Sequence, residues 1–235
     1  MHCFYCRAIG RPGTTVELEE RDRKHLFKTL RAAPGEQFEL TDGRGTFALA
    51  TIGSDRIITV LNATTASPPP RRVHLVLAPP KKAKMDLLLK QCAEVGIWSI
   101  HLFLSARSVA APEKEEVLER WQTLLQEGCK QAKNPFLPQL TALPVSFKTA
   151  VDRIKQENWQ GFFGSPRGDG VMPDLSRTTD IAWVVGPEGG FTPEEEDYLR
   201  QNGIADLRLG RWVLRVETAA IAGSLFLAVV DTTTP

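Results

Sequence analysis

The feature that most constrains the fold is a regular alternation of strand-like and helix-like segments after three consecutive prolines, Pro68–Pro70. Apolar runs typical of buried strands occur at Val73–Ala78, Trp98–Leu104, Gly161–Gly164 and Ile181–Val185. Helix-like segments separate these runs, and such alternation is typical of a mostly parallel sheet covered by helices on both faces. The sequence therefore predicts an α/β domain over residues 71–235.

The helices of this region are predicted from apolar residues that recur at the spacing of one helix face. The first helix carries Met85, Leu88, Leu89 and Cys92 and ends near Gly96. The second carries Val117, Trp121, Leu124 and Leu125, and Ser146 is expected to cap a third that runs through Ile154.

Residues 1–70 have a different, β-rich pattern. Gln37–Leu40 and Thr46–Ile52 are strand-like and flank the turn sequence Asp42–Gly45, with a further strand at Arg56–Leu61. A short helix is expected at Lys24–Leu30. Because prolines neither continue a helix nor donate to a ladder, the triple proline predicts a domain boundary, with a small antiparallel barrel before it.

The charge balance is close to neutral, with 29 basic and 28 acidic residues, and it predicts neither a nucleic-acid nor a membrane partner. The local distribution is uneven, because residues 71–90 hold six bases and the single acid Asp86. Two interpretations remain open for this segment, namely a solvated helix face and a surface that meets a polyanion.

Neither end of the chain indicates a metal site or a membrane anchor. The C-x-x-C pair Cys3 and Cys6 lacks the second ligand pair that zinc requires, so we predict no metal. No secretory signal pattern is present, which favours a reducing cytoplasm. The apolar run Ala219–Val230 is too short to span a bilayer and predicts a helix buried in a core or against a second subunit.

The loop Gly186–Gly190, with the sequence GPEGG, follows the last buried strand and precedes a clearly marked helix. Thr192, Pro193 and Glu195 fit the N-cap, first-turn proline and N3 positions of a capping box, and Gly203 fits the C-terminal end. The spacings of phosphate-binding and dinucleotide-binding loops are absent. A structural turn and a ligand-binding loop are both consistent with the spacing alone.

A second unusual loop, Leu209–Ala219, reads LGRWVLRVETA and places Arg215 and Glu217 beside an apolar helix. Charges in such a place are costly unless they are paired or bind a ligand. A structural ion pair and a catalytic pair are both open interpretations.

Together these two loops resemble the RsmE branch of the SPOUT methyltransferases. Further agreement extends over nearly the whole chain and includes Lys81–Asp86 with Gln91–Gly96, Ser105–Val109, Trp121 with Glu127–Pro135, His25–Arg31 and Asp42–Gly45. The sequence departs from common members at Ala106, at Arg211-Trp212 and at Val216.

The resemblance implies a PUA-like RNA-binding barrel over residues 1–70 and a SPOUT methyltransferase domain with a trefoil knot over residues 71–235. It further implies transfer of a methyl group from S-adenosylmethionine to N3 of a uridine in 16S rRNA. The partners that it implies are the assembled small ribosomal subunit and a second copy of the chain.

The resemblance also implies roles for particular residues. The expected catalytic residues are Arg215 and Glu217, with Glu217 either orienting Arg215 or accepting the proton. The expected cofactor-binding residues are Gly164, Ser165, Gly186, Pro187, Glu188, Gly189, Gly190, Leu209, Gly210, Val213, Leu214, Arg215 and Thr218. The expected RNA-binding residues are Arg7, Arg11, Arg31, Arg44, Arg71, Arg72, Lys81, Lys82, Lys84 and Arg107.

Two other functions remain as alternatives at this point. A non-catalytic RNA-binding or ribosome assembly factor would keep the barrel without the chemistry, whereas the retained glycines and Arg215 favour an enzyme. A nucleotide-dependent α/β enzyme of another type is disfavoured by the missing phosphate-loop spacing.

Overall fold

A computed structural model describes residues 1–109, 115–141, 143–168, 174–175 and 178–229. The chain divides into two compact units. One unit comprises residues 1–68 and 125–137, and the other comprises residues 69–124 and 138–235. Val230, the end of the predicted apolar run, lies outside the described residues.

The first unit is built on a five-stranded sheet with the order β1-β3-β4-β5-β2. Its strands are β1 (Cys3–Tyr5), β2 (Thr15–Val16), β3 (Gln37–Thr41), β4 (Thr46–Ile52) and β5 (Ile58–Thr65). The meander β3-β4-β5 is antiparallel, as the turn sequences predicted. The predicted all-antiparallel arrangement is wrong for β1, which pairs parallel with β3 and places Cys3 opposite Glu39.

The helical segment of the first unit changes from α to π geometry. It begins four residues before the predicted start, as α1 (Glu20–Lys24), and continues as a π-helix over His25–Thr29. The wider turn is visible in the Leu30 amide, which donates to the His25 carbonyl five residues back at 3.0 Å. The π-helix buries Leu26 in the core of this unit.

Residues 125–137 join the first unit through ion pairs and backbone hydrogen bonds. Lys130 Nζ lies 3.0 Å from Asp22 Oδ1, and Lys133 Nζ lies 3.0 Å from Glu39 Oε1. The Leu137 amide donates to the Gly43 carbonyl at 2.8 Å. The unit therefore includes a segment far along the chain, which a boundary read from local composition does not indicate.

The second unit is an α/β structure, as predicted. Its strands are β6 (Arg72–Leu77), β7 (Ser99–Leu104), β8 (Gln139–Leu140), β9 (Val145–Ser146), β10 (Gln160–Gly164), β11 (Asp180–Val185) and β12 (Ala205–Leu207). Its helices are α2 (Lys82–Glu94), α4 (Phe147–Gln156), α5 (Pro193–Gln201) and α6 (Val216–Val229). The helix α3 (Glu115–Ala132) belongs to this unit up to Leu124 and to the first unit from Leu125 onward.

The strands of this unit form a parallel sheet in the order β12-β10-β11-β6-β7-β8, with β9 also pairing with β7. The predicted caps are confirmed. Ser146 Oγ accepts from the Thr149 amide at the start of α4, and Thr192 with Glu195 forms the capping box of α5. Gly203 follows α5 with a φ of 78°.

The last helix, α6, packs against the buried strands β6 and β11. Trp183 is fully buried, and its indole Nε1 donates to the Ala219 carbonyl at 3.0 Å. A Cβ atom at Gly223 would lie 2.3 Å from Trp183 Cε2. Among the described residues, no helix combines the length and the apolar character needed to cross a membrane.

A chain of hydrogen bonds runs through the sheet from a surface ion pair to a buried histidine. Asp180 Oδ2 accepts from the Arg72 guanidinium at 2.5 Å, and Asp180 Oδ1 lies 2.9 Å from His74 Nε2. His74 Nδ1 is 2.6 Å from Ser99 Oγ, which is 2.7 Å from His101 Nε2.

One tautomer assignment satisfies this whole chain. His74 donates from Nε2 to the Asp180 carboxylate, Ser99 donates its hydroxyl proton to His74 Nδ1, and His101 donates from Nε2 to Ser99. His101 Nδ1 then carries a lone pair, and it is buried with no hydrogen-bond partner among the described residues. Protonation would bury a charged donor with no acceptor, and burial lowers the pKa of His101 to about 3.

We predict that these two histidines make the second unit less stable in acid. Burial lowers the pKa of His74 as well, so both rings take up protons more readily when unfolded. The contribution of these two rings to the free energy of unfolding should therefore be constant above about pH 6.5 and decrease below it, by up to about 1.4 kcal/mol per pH unit for each ring.

Denaturant titrations at pH 7, 6 and 5 would measure this slope. His101→Gln keeps a donor for Ser99 but does not titrate, so its slope should be shallower than that of the wild type. Equal slopes for both proteins would contradict the assignment.

We also predict that Gly223→Ala destabilises the protein, although alanine normally favours a helix by about 1 kcal/mol. Trp183 is fully enclosed and cannot move aside, so the added methyl group should cost about 2 kcal/mol net. Gly210→Ala is a matched control, because its Cβ would have nothing within 4 Å. Thermal and denaturant unfolding should show a loss in the first variant alone.

Candidate functional site

The candidate site lies where adjacent parallel strands end. Because β12, β10, β11 and β6 are neighbours and run in the same direction, their carboxyl ends meet at one edge of the sheet. Ligand sites of open α/β sheets occupy this position. A cavity of about 530 Å³ is found there, within the range of small-molecule sites.

Most of the predicted cofactor-binding residues line this cavity. Those lining it are Gly164, Ser165, Gly186, Pro187, Glu188, Gly189, Gly190, Leu209, Gly210, Val213, Leu214 and Arg215. Neither Thr218 nor the predicted catalytic Glu217 is among the described residues that line it. The three loops that were identified separately in the sequence thus converge on one space.

The GPEGG loop depends on its glycines for two different reasons. Gly190 has a φ of 70°, and its amide donates to the Pro187 carbonyl at 2.8 Å to close a tight turn. A Cβ at Gly186 would lie 3.0 Å from the ring of Phe191, so this position needs space rather than an unusual backbone angle. The loop is compact and exposes backbone groups to the cavity.

Residues after β7 hold the outer side of the GPEGG loop. The Arg107 guanidinium donates to the carbonyls of Gly189 at 3.0 Å and Phe191 at 3.3 Å. The Ala106 amide donates to Glu195 Oε1 at 2.9 Å. Arg107, a predicted RNA contact, thus also fixes the shape of the loop.

The loop after β10 is tied to the end of β12. The Ser165 amide donates to the Leu207 carbonyl at 3.1 Å, and Ser165 Oγ accepts from the Arg167 amide at 3.2 Å. Ser165 is only 3% exposed. These bonds keep Gly164 and Ser165 at the wall of the cavity.

The third loop, between β12 and α6, is the most exposed part of the site. Trp212 is 77% exposed and Val213 is 82% exposed. Arg215 also lines the cavity, and within the described part of the chain its guanidinium has neither a hydrogen-bond nor an ion-pair partner. An unpaired cation in a ligand-sized cavity is available to bind an anion or to stabilise developing negative charge.

Lys84, at the start of α2, connects two acidic groups of the site. Its Nζ lies 3.2 Å from Glu188 Oε1 and 3.6 Å from Glu217 Oε2. The ion-pair partner of Glu217 is therefore Lys84 and not Arg215. Glu217 Oε2 is buried and accepts no hydrogen bond within the described residues, so the ion pair is its main compensation.

The predicted RNA-binding residues of the first unit differ in their surroundings. Arg7 pairs with Glu19 at 3.0 Å, and the Arg44 guanidinium donates to the Arg7 carbonyl at 2.6 Å. Arg11 and Arg31 are exposed. These four arginines thus remain at least partly open to solvent.

The predicted RNA-binding residues of the second unit occupy both internal and exposed positions. Arg71 is half-buried and donates to the carbonyls of Leu227 and Leu175, both at 3.3 Å, while Arg72 pairs with Asp180. Lys81 and Lys82 are exposed at the start of α2. The basic segment at residues 71–90 therefore has both structural and solvated members.

Residues that the sequence did not indicate as part of the site also line the cavity, among them Phe191, Glu196 and Arg208. Arg208 follows β12, whose three residues are too few to show a strand pattern. Arg208 could have been found by its position directly after a strand, but a strand of three residues is too short to be recognised in the sequence. Among the described residues, no cluster of three His, Cys, Asp or Glu side chains could hold a metal ion.

The lining combines apolar side chains with charged groups, as an amphipathic organic ligand requires. Backbone groups of glycine-rich loops and apolar side chains such as Leu209 and Leu214 surround the cavity, and Arg215 and Glu188 bring opposite charges. An adenosine with a charged amino-acid tail has matching apolar and polar parts.

The chain is similar to known RNA methyltransferases in both units. Residues 67–227 match the RNA methyltransferase domain family, and residues 18–61 match the RNA methyltransferase PUA domain. Proteins named ribosomal RNA small subunit methyltransferase E from Aquifex aeolicus and Mycobacterium tuberculosis are each 28% identical to this chain. The alignments cover 94% and 92% of the chain, and 96% and 87% of the relatives, respectively.

A solved structure has a similar fold. It is the ribosomal RNA small subunit methyltransferase E of Neisseria gonorrhoeae bound to S-adenosyl methionine, with a TM-score of 0.83 and 28% identity. The match covers 95% of this chain and 94% of that one. The fold of both units therefore has a counterpart in a methyltransferase crystallised with its methyl donor.

Proposed function

The chain belongs to the RNA methyltransferase family, and we propose that it transfers a methyl group from S-adenosylmethionine to N3 of a uridine in 16S rRNA of the assembled small ribosomal subunit. The observation that carries the proposal is the cavity at the carboxyl ends of β12, β10 and β11. Relatives matched over nearly their whole length carry the small-subunit name.

The residues around the cavity fit this cofactor. Apolar side chains and the backbone of the GPEGG loop suit an adenosine, and the polar groups of the lining suit the amino-acid part. We attribute the glycines of the GPEGG loop to a close approach of its backbone to the cofactor rather than to phosphate binding. We propose the cofactor-binding set given above, with Thr218 acting from outside the described lining.

S-adenosylmethionine supplies an electrophilic methyl group when it is bound. The task of the protein is to align the uracil nitrogen and to stabilise the negative charge that develops as the N3 proton passes to solvent water. We assign charge stabilisation at the adjacent carbonyl oxygen to Arg215, because it lines the cavity and its guanidinium is unpaired within the described residues. Glu217 does not line the cavity, and it contributes to the site indirectly, through its ion pair with Lys84.

The proposal extends to domains and partners. Residues 1–70 form an RNA-binding domain, residues 71–235 form the methyltransferase domain with the trefoil knot, and the protein works in the cytoplasm as a homodimer. The dimer is supported by apolar side chains left open on α6 and the neighbouring loop, where Val229 is 73% exposed and Trp212 is 77% exposed.

The function is tested by calorimetry and by mass spectrometry of rRNA. The purified protein should bind S-adenosylmethionine, and it should add one methyl group to a uridine of small subunits taken from cells that lack it. Binding without methylation of any rRNA would contradict the assigned substrate. Absence of cofactor binding would instead favour the non-catalytic RNA-binding factor.

Arg215→Ala should abolish turnover and leave affinity for S-adenosylmethionine within about threefold. The expected loss is on the order of 100-fold or more, because an aligned charge acts mainly in the transition state. Single-turnover methylation and calorimetry on the same preparation would measure both quantities. Near-normal turnover would remove Arg215 from the catalytic role.

A further inference from the structure

Lys84 occupies a position that differs from those of its neighbouring lysines. Lys81 and Lys82 are exposed at the start of α2, whereas Lys84 is half-buried and lines the cavity. Its backbone is fixed by the first turn of α2 and by the fully buried Met85 beside it. The side chain is therefore held on one side by the core of the second unit.

Two carboxylates from different elements meet the Lys84 ammonium. Glu188 belongs to the GPEGG loop, and Glu217 belongs to the first turn of α6, two residues after Arg215. Without a cation between them, two carboxylates in the same partly buried place would repel each other. One ammonium thus links three elements that surround the cavity, namely α2, the GPEGG loop and α6.

We propose that Lys84 is a positioning residue that holds the GPEGG loop against α6 in the form that binds the cofactor. This proposal rests on the proposed function. Glu217 orients the ammonium, and the ammonium restrains Glu188 and with it the backbone of Gly189 and Gly190. The role differs from the phosphate contact expected of the basic segment at residues 71–90.

The geometry favours the positioning role over an RNA contact. An ammonium already placed between two carboxylates presents little net positive charge to a polyanion, because the local sum of the three groups is −1. A phosphate would have to displace or share the ammonium against that negative charge. Lys81 and Lys82 are open to solvent and do not meet this obstacle.

The test uses the full chain without RNA. Lys84→Met removes the charge and keeps the aliphatic stem, and Lys84→Arg keeps a cation that reaches both carboxylates. Lys82→Met is the matched control on the same helix. Binding of S-adenosylhomocysteine, whose sulfur is neutral, reports loop order without the attraction between a sulfonium and the carboxylates.

We expect Lys84→Met to raise the Kd for S-adenosylhomocysteine about five- to tenfold. Lys84→Arg should recover most of the affinity, and Lys82→Met should leave it unchanged. In Glu217→Gln the same substitution of Lys84 should cost less, since the ion pair that orients the ammonium is already weakened.

Hydrogen exchange of the cofactor-free protein gives a second measurement that a failure of the proposed function does not affect. The amides of residues 186–191 should exchange faster in Lys84→Met than in the wild type, with Lys84→Arg restored. If the wild type binds no cofactor, the exchange result still tests the link.

Two outcomes would overturn the proposal. One is unchanged Kd together with unchanged exchange in Lys84→Met. The other needs a separate titration of Lys84→Met with RNA: it is unchanged cofactor affinity together with a salt dependence of RNA binding that decreases by about one counterion, as expected for a direct phosphate contact.

Discussion

The site depends on the parallel order of β12, β10, β11 and β6. Parallel neighbours place all of their carboxyl ends at one edge, so loops separated by more than forty residues in the chain meet in one cavity. An antiparallel partner at any of these positions would send a loop to the opposite edge. Strand direction therefore decides which residues form the site before any side chain is considered.

Packing beneath that edge gives the loops a rigid base. Trp183 fills the space between β11 and α6, contacts the wall at Gly164 and bonds the backbone at Ala219. Glycine is therefore required at different positions of this region for different physical reasons. Gly223 and Gly164 admit the indole, whereas Gly190 supplies a backbone angle that other residues adopt with strain.

Several charged side chains of the second unit make internal connections. Arg71 and Arg72 support backbone and carboxylate groups of the second unit, Arg107 shapes the GPEGG loop, and Lys84 joins two acids. A count of bases along the sequence gives them equal weight. Their separation into structural and solvated groups requires knowledge of which carboxylates and carbonyls come close to each one.

The sequence by itself determined the fold class, the helix caps at Ser146 and Thr192, and the two loops that resemble a methyltransferase. These features depend on local spacing, which the chain carries wherever it folds. Only the tertiary structure decided that Glu217 pairs with Lys84 and that β1 runs parallel to β3. Such contacts join residues far apart in the chain, and no local pattern specifies which partners the packing brings within a few ångströms.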